Sequence, residues 1–294
     1  MPLPAIASGK REMKMVTTWP KRLPGLGVAA ERLAARIGTL SGGRLEIKVY
    51  AANELVPALE AFDTVSRGAA DMSHGASYYW QGKSKAFNFF TGVPFGMTAA
   101  EISAWVRYLG GQALRDEVTA PFGCVSFMAG QTGTQAAGWF RKELTGLADV
   151  KGLKFRTPGL GGDVWKKLGV TVVNLPAGEI FQSLQSGAID ATEFVGPSID
   201  IALGFWQVAK NYYWPSFNEP GLALELTVNK KVYDDLPPDL QAIIQYACQA
   251  DCEETYAELR AHDALLKAHK VLSVMSDRAD RAFLDARRLP VKYG

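Results

Sequence analysis

The sequence predicts an α/β protein of two similar lobes. Two observations carry that prediction: a helix–glycine–strand unit that occurs twice in recognisable letters, and segments that switch between helical and strand spacing along the chain. The unit Glu60-Ala61-Phe62-Asp63-Thr64-Val65-Ser66-Arg67-Gly68-Ala69-Ala70-Asp71 matches Glu179-Ile180-Phe181-Gln182-Ser183-Leu184-Gln185-Ser186-Gly187-Ala188-Ile189-Asp190, with Glu, Phe, Gly, Ala and Asp in common. Each copy follows an expected strand, at residues 45–50 and 170–174, and in each the glycine is placed to take the left-handed cap that ends a helix. Two such lobes leave a cleft between them, and clefts at domain interfaces are favoured ligand sites. A chain of 294 residues is long enough for both.

Residues 14–18 read as the first strand. A Pro/Gly loop follows, then a helix with Leu26, Ala29, Ala30, Leu33 and Ile37 at helical spacing, stopped at Ser41-Gly42-Gly43. Leu45, Ile47 and Val49 alternate as a strand, and Leu59, Phe62 and Val65 mark the next helix, so the order βαβα implies parallel strands. Residues 221–228, alternately apolar, suit a strand that returns to the first lobe. The expected organisation is lobe one at residues 10–125 with a return segment at 214–235, and lobe two at 126–213. A long helix at 236–271 and a C-terminal segment at 272–294 complete it. That helix begins after Asp234-Asp235-Leu236-Pro237-Pro238 and carries Leu240, Ile243, Ile244, Ala247 and Cys248 on one stripe. It is longer than either lobe requires, which predicts that it spans both lobes or docks on a second subunit; an ordinary scaffold helix is the plainer reading.

The 32 basic residues nearly balance the 30 acidic ones and form no run, which leaves no electrostatic footprint for nucleic acid or an anionic membrane. No apolar run approaches the roughly 20 residues of a membrane-spanning helix. The start, MPLPAIASGKREMKMV, lacks the apolar core of a signal peptide, and its small residues suit a processed end. Cys124 stands alone, and Cys248 and Cys252 share one helical face at the limit of disulfide reach, which favours free core thiols. With His74, His262 and His269 scattered, no zinc spacing exists, and any metal is expected on oxygen ligands.

In Lys154-Phe155-Arg156-Thr157-Pro158-Gly159-Leu160-Gly161-Gly162-Asp163-Val164-Trp165 a strand meets a glycine turn and a helix start. It falls short of a dinucleotide loop, because Val164 stands where the third glycine belongs and Glu179 lies at a helix start instead of a strand end. Arg156, alternating with Phe155, is set at the strand's carboxyl end, where α/β crevices lie, and its planar fork matches a carboxylate; a solvated surface arginine is the alternative. Glu193, in Ala191-Thr192-Glu193-Phe194-Val195-Gly196-Pro197, is an acid inside an apolar strand and needs a partner, either Arg156 or a hard cation. Glu219, in Phe217-Asn218-Glu219-Pro220, is a second acid beside apolar surface, though an acid before proline is commonly a loop residue. Gln135 lies in a glycine-rich stretch where a backbone can approach a ligand. Tyr78 and Tyr79, with Trp80, end a strand at the place in lobe one equivalent to Glu193, as the opposite cleft wall or as core. Asn174, at the end of the strand 170–174, is a further candidate for contact with a ligand. No nucleophile elbow, Walker loop or His-Glu-x-x-His motif is present, and His74 reads as a satisfied histidine; these point away from an enzyme.

Taken together, KFRTPGLGGDVWKKLGV, NLPAGEIFQSLQSGAIDATEFVGP, the aromatic YYWPSFNEP and the long C-terminal helix resemble the extracytoplasmic solute receptors of tripartite ATP-independent periplasmic (TRAP) transporters, of the DctP type. The Glu-x-Val-Gly-Pro and Asn-Glu-Pro segments resemble the subgroup that binds 2-oxo acids or lactate with a metal ion. The resemblance implies a two-lobed periplasmic binding protein fold with hinge-crossing strands that closes on an organic acid and delivers it to TRAP membrane subunits, with Arg156 on the substrate carboxylate. It also implies a sodium or calcium ion beside the substrate, held by Gln135, Glu193 and Glu219 with the backbone carbonyl of Phe194, where a tryptophan is the residue expected. A monocarboxylate and two glutamates then face Arg156 and the cation, a set near neutrality with either ion. Some members of the subgroup are dimers joined through the long helix. The alternatives are the same fold binding a C4-dicarboxylate or sugar acid and, more remotely, a cofactor-dependent oxidoreductase using the 159–162 loop.

Overall fold

The computed structural model describes residues 9–268; the expectations for the extreme amino terminus, the last residues of the long helix and the segment at 272–294 lie outside them. The strands are β1 (Arg11–Thr17), β2 (Leu45–Tyr50), β3 (Met72–Gly75), β4 (Cys124–Gly133), β5 (Gly138–Phe140), β6 (Lys154–Arg156), β7 (Thr171–Val173), β8 (Ala191–Thr192), β9 (Asn211–Tyr213) and β10 (Leu222–Asn229). They form two five-stranded sheets, ordered β2-β1-β3-β10-β4 and β7-β6-β8-β5-β9. In the first, β1 runs parallel to β2 and β3, and β10 is antiparallel to β3 and β4. In the second, β6 runs parallel to β7 and β8, and β5 is antiparallel to β8 and β9. The sheets therefore share one strand pattern, and each borrows its lone antiparallel strand from a chain that has just crossed between lobes.

The helices are α1 (Gly27–Leu40), α2 (Ala61–Ser66), α3 (Ala99–Tyr108), α4 (Gly111–Thr119), α5 (Gly159–Lys167), α6 (Ala177–Ser186), α7 (Pro197–Ala202), α8 (Phe205–Val208), α9 (Lys230–Asp234) and α10 (Pro238–Ala268). The repeated unit is structural. Gly68 and Gly187, at φ 74° and 78°, both take the left-handed conformation just past α2 and α6. The aspartates that follow act alike: Asp71 Oδ2 accepts the Lys14 N–H at 2.7 Å and Asp190 Oδ2 accepts the Lys154 N–H at 2.9 Å. Each carboxylate thus ties the entry of the strand that follows it to the neighbouring parallel strand. The α1 stripe of Leu26, Ala30, Leu33 and Ile37 joins Met13, Met15 and Met72 in one buried cluster, as the helical spacing predicts.

One expected boundary moves. Residues 126–133 belong to β4, which pairs with β10 along its length, so the first crossing lies at 134–137 and not at 126. The run Cys124–Gly133 is buried almost throughout and contains no turn chemistry before Gly133, so the sequence offers no break there. The second crossing, at 214–221, joins β9 to β10. Helix α10 touches both lobes: Arg32 of α1 bonds Asp251 at 2.9 Å, Glu258 at 2.7 Å and Thr255 at 2.8 Å, and farther along Asp263 accepts the Ser198 N–H at 3.0 Å in the first turn of α7. A borrowed carboxylate at a helix N-terminus satisfies an orphan donor and meets the positive end of the dipole. Cys124, Cys248 and Cys252 are free and buried.

His74, fully buried in β3, accepts from Trp19 Nε1 through Nδ1 at 2.8 Å, so its proton sits on Nε2, 3.3 Å from the Ala129 carbonyl. Burial lowers its pKa to about 4, outweighing the Ala129 contact. Between pH 4 and 6.5 the unfolded chain then binds a proton that the folded one refuses, so stability rises with pH across that window. We expect urea titrations at pH 7 and pH 4.5 to show a larger acid loss in the wild type than in His74→Gln, whose amide reproduces both contacts. The difference should be on the order of 2–3 kcal/mol.

Candidate functional site

Strand β6 ends in two side chains of opposite fate. Phe155 enters the core of the second lobe beside Phe140 and Trp165, and Arg156 points the other way, to where the lobes meet. Arg156 is fully buried, which rules out the solvated alternative. Its Nε donates to the Leu175 carbonyl at 3.0 Å, Nη1 to the Glu193 carbonyl at 2.8 Å and to Glu193 Oε1 at 3.0 Å, and Nη2 to the Tyr79 hydroxyl at 3.3 Å. A guanidinium has five N–H groups, so one on Nη2 is left over. The charge also lies over the Phe194 ring, 5.3 Å from its centroid.

Glu193 follows β8, whose Thr192 pairs with Arg156 in register, so sheet geometry alone brings the acid and the base together. Gln135 and Glu219 sit on the two crossing segments, and the backbone binds these to each other: Gln135 N–H donates to the Glu219 carbonyl at 3.1 Å, Ser216 N–H to the Gln135 carbonyl at 2.9 Å, and the Thr134 hydroxyl to the Pro220 carbonyl at 2.8 Å. Gln135 Nε2 donates to the Thr132 hydroxyl at 3.0 Å, which turns Oε1 away. Gln135 Oε1 and Glu219 Oε2 are both buried and have no hydrogen-bond partner. Burial raises the pKa of Glu193 against the pull of Arg156 and a Thr157 hydrogen bond. Glu219 is raised further, by burial and then by the charge of Glu193. Two acids facing one guanidinium are short of positive charge.

These donors are all oxygen, as a hard cation requires. Among the described residues no group of three or more His, Cys, Asp or Glu is placed to hold a metal, so a cation here depends on neutral oxygens as well. The orphaned Gln135 Oε1 would be one candidate and the Phe194 carbonyl the second. Sodium or calcium suits such a set, and zinc or copper does not.

Of the other residues singled out in the sequence, Tyr78 is buried and stacks edge-on against Tyr79 at 4.8 Å, and Tyr79 reaches Arg156 from the opposite lobe. Asn174 does not join them. It is exposed, one residue past β7, and the chain's contribution there is the backbone carbonyl of Leu175. Two residues that the sequence did not signal are Asn88 and Asn218, both buried, each with one amide atom lacking a partner. Asn218 precedes Glu219 in the Asn-Glu-Pro segment, which was the available clue; Asn88 lies in an aromatic 3-10 turn with no periodic mark.

Residues 15–271 match the DctP family model, described as bacterial extracellular solute-binding protein, family 7. The chain is 44% identical over 252 residues to the monocarboxylate 2-oxoacid-binding periplasmic protein of Nostoc sp., covering 86% of this chain and 68% of that one. It is similar to a TRAP transporter solute-binding protein from Bordetella bronchiseptica, a mixed-occupancy dimer with copurified calcium and picolinate in one active site and an apo site in the other. That match has a TM-score of 0.88 at 36% identity and covers 92% of this chain and 80% of that one. It is likewise similar to a TRAP periplasmic solute-binding protein from Pseudoalteromonas atlantica with bound sodium and pyruvate, at a TM-score of 0.86 and 41% identity over 89% and 80% of the two chains.

Removing one member of a buried ion pair leaves the other uncompensated. Arg156→Leu should therefore lower the unfolding free energy by about 3–5 kcal/mol. The double variant Arg156→Leu/Glu193→Leu should recover part of that loss in the same denaturant titration.

Proposed function

Because the chain belongs to the DctP family of bacterial extracellular solute-binding proteins, we propose that it is the extracytoplasmic receptor of a TRAP transporter, binding a small 2-oxo or 2-hydroxy monocarboxylate together with a sodium or calcium ion. The family is one of transport receptors, and the protein is not an enzyme. The observation that carries the ligand class is the pairing of a buried Arg156, with an N–H to spare, and two orphaned acceptor oxygens, Gln135 Oε1 and Glu219 Oε2. A carboxylate takes the guanidinium as a charge-assisted partner. Gln135, Glu193, Glu219 and the Phe194 carbonyl would hold the cation, which supplies the positive charge that the two acids lack and a hard partner for the 2-oxo or 2-hydroxy oxygen.

Arg156 is the cation that bears on both Glu193 and Glu219, which favours a ligand with one carboxylate over a C4-dicarboxylate or sugar acid. Tyr78 and Tyr79 close the site from lobe one. The receptor works in the periplasm and hands its ligand to the TRAP membrane subunits; no described helix is long and apolar enough to cross a membrane. The outer face of α10, where Tyr246 and Leu265 are exposed, is the contact proposed for a homodimer. The Bordetella relative is a dimer, which supports the homodimer itself.

Calorimetry with pyruvate, 2-oxobutyrate and lactate, before and after treatment with a chelator and in sodium-free buffer, should give micromolar or tighter binding that weakens when the cation is withdrawn. Silence from all of these acids would remove the ligand class. Arg156→Ala should weaken binding by about 2–5 kcal/mol, and unchanged affinity would take Arg156 out of the site.

A further inference from the structure

Beyond the groups assigned to carboxylate and cation, two more buried polar atoms close to them in the chain or in space have no partner, Asn88 Oδ1 and Asn218 Nδ2. Their identities are fixed by their partners. Asn88 Nδ2 donates to the Lys85 carbonyl at 3.0 Å, and a carbonyl only accepts, so the free atom of Asn88 is its oxygen. Asn218 Oδ1 accepts from Trp165 Nε1 at 3.1 Å, and an indole N–H only donates, so the free atom of Asn218 is its nitrogen. Asn88 and Asn218 are 0% and 2% exposed, so bulk water does not satisfy either.

The two amides flank the first turn of α5. A Cβ at Gly159 would lie 3.3 Å from Asn88 Oδ1 and 3.4 Å from Tyr78, and one at Gly161 would lie 3.1 Å from Asn218 Cγ. Glycine at both contact points lets the α5 backbone pack close against each amide without offering either a hydrogen-bonding side chain. The pair is also continuous with the cation ligands. The Asn88 backbone carbonyl accepts the Gly92 N–H at 3.2 Å, a Cβ at Gly92 would lie 3.3 Å from Glu219 Cγ, and Asn218 precedes Glu219 in the chain.

We propose that Asn88 and Asn218 form a hydroxyl-recognising end of the ligand cleft, so that the receptor prefers a 2-oxo acid bearing a hydroxyl on its carbon chain. This rests on the reading of the site as a 2-oxo acid receptor. A hydroxyl donates to Asn88 Oδ1 and accepts from Asn218 Nδ2, and satisfies both orphans with one group. A second carboxylate only accepts, and sets its lone pairs against Asn88 Oδ1. A methyl group leaves both amides unpaired, the circumstance in which a polar site discriminates against an analogue lacking its polar group.

Calorimetry on the cation-loaded protein tests this with two matched pairs, hydroxypyruvate against pyruvate and 4-hydroxy-2-oxobutyrate against 2-oxobutyrate, with oxaloacetate as the charged counterpart. At least one hydroxy acid should bind roughly tenfold tighter than its partner, and tighter than oxaloacetate. In Asn88→Leu that ratio should collapse towards one. The ratio is the readout, so a general loosening of the variant cancels between the ligands. Hydroxy acids that bind no better than their partners in the wild type would overturn the proposal, with an ordered water as the occupant of the amides. So would a ratio that survives Asn88→Leu, or oxaloacetate binding more tightly than either hydroxy acid. If pyruvate and 2-oxobutyrate themselves give no signal, the receptor reading fails, and this inference falls with it.

Discussion

A fully buried guanidinium is the constraint around which the two lobes are arranged. Arg156 has no water to solvate it, and an unpaired buried charge is too costly to persist, so the chain must deliver oxygens to it from several directions. It does so with the Leu175 carbonyl just past β7, the carbonyl and carboxylate of Glu193 just past β8, and the hydroxyl of Tyr79 from the other lobe. One side chain thereby fixes where two strands of its own sheet end and how the facing lobe approaches. The parallel pairing of β6 with β7 and β8 makes this possible, since parallel neighbours all present their carboxyl ends on the same side.

The same burial leaves an electrostatic debt. Glu193 and Glu219 are both pushed towards their neutral forms by loss of solvent, and Arg156 offsets only part of that. A site so composed gains from any added positive charge, provided that it comes with oxygen-loving coordination. The proposed cation ligands Gln135 and Glu219 lie on the crossing segments, and these segments are hydrogen-bonded to each other through their backbones. A ligand that ties Glu193 of one lobe to the crossings therefore acts on the elements that any relative motion of the lobes must bend. Helix α10 adds a brace across the same junction, from Arg32 of α1 to Ser198 at the head of α7.

Much of this was legible in the letters. The twofold Glu-Phe-Gly-Ala-Asp unit predicted two like sheets, and its glycines and aspartates do the same work in both copies. Arg156 and Glu193 were legible because a charge inside an apolar strand requires a partner. The first crossing was not, because Cys124–Gly133 is one uninterrupted buried strand and the lobe changes only after it. Asn174 was misread for a related reason: a strand's end tells which way the chain leaves the sheet, but the carbonyl of Leu175, and not the Asn174 side chain, makes the contact with Arg156.

By itself the sequence determined the periodic and the costly: the spacing that makes helices and strands, the glycines that end them, and the isolated charges that had to find partners. Those are local properties, set by backbone geometry and by the free energy of burying a single group. Tertiary structure decided which oxygens and nitrogens are buried without a partner. Gln135, Glu219, Asn88 and Asn218 each keep a buried atom without a partner, and an amide's free atom is defined by what its other atom has already bonded, Thr132 for Gln135, Lys85 for Asn88 and Trp165 for Asn218. No spacing along the chain encodes that choice, since it depends on partners far away in sequence.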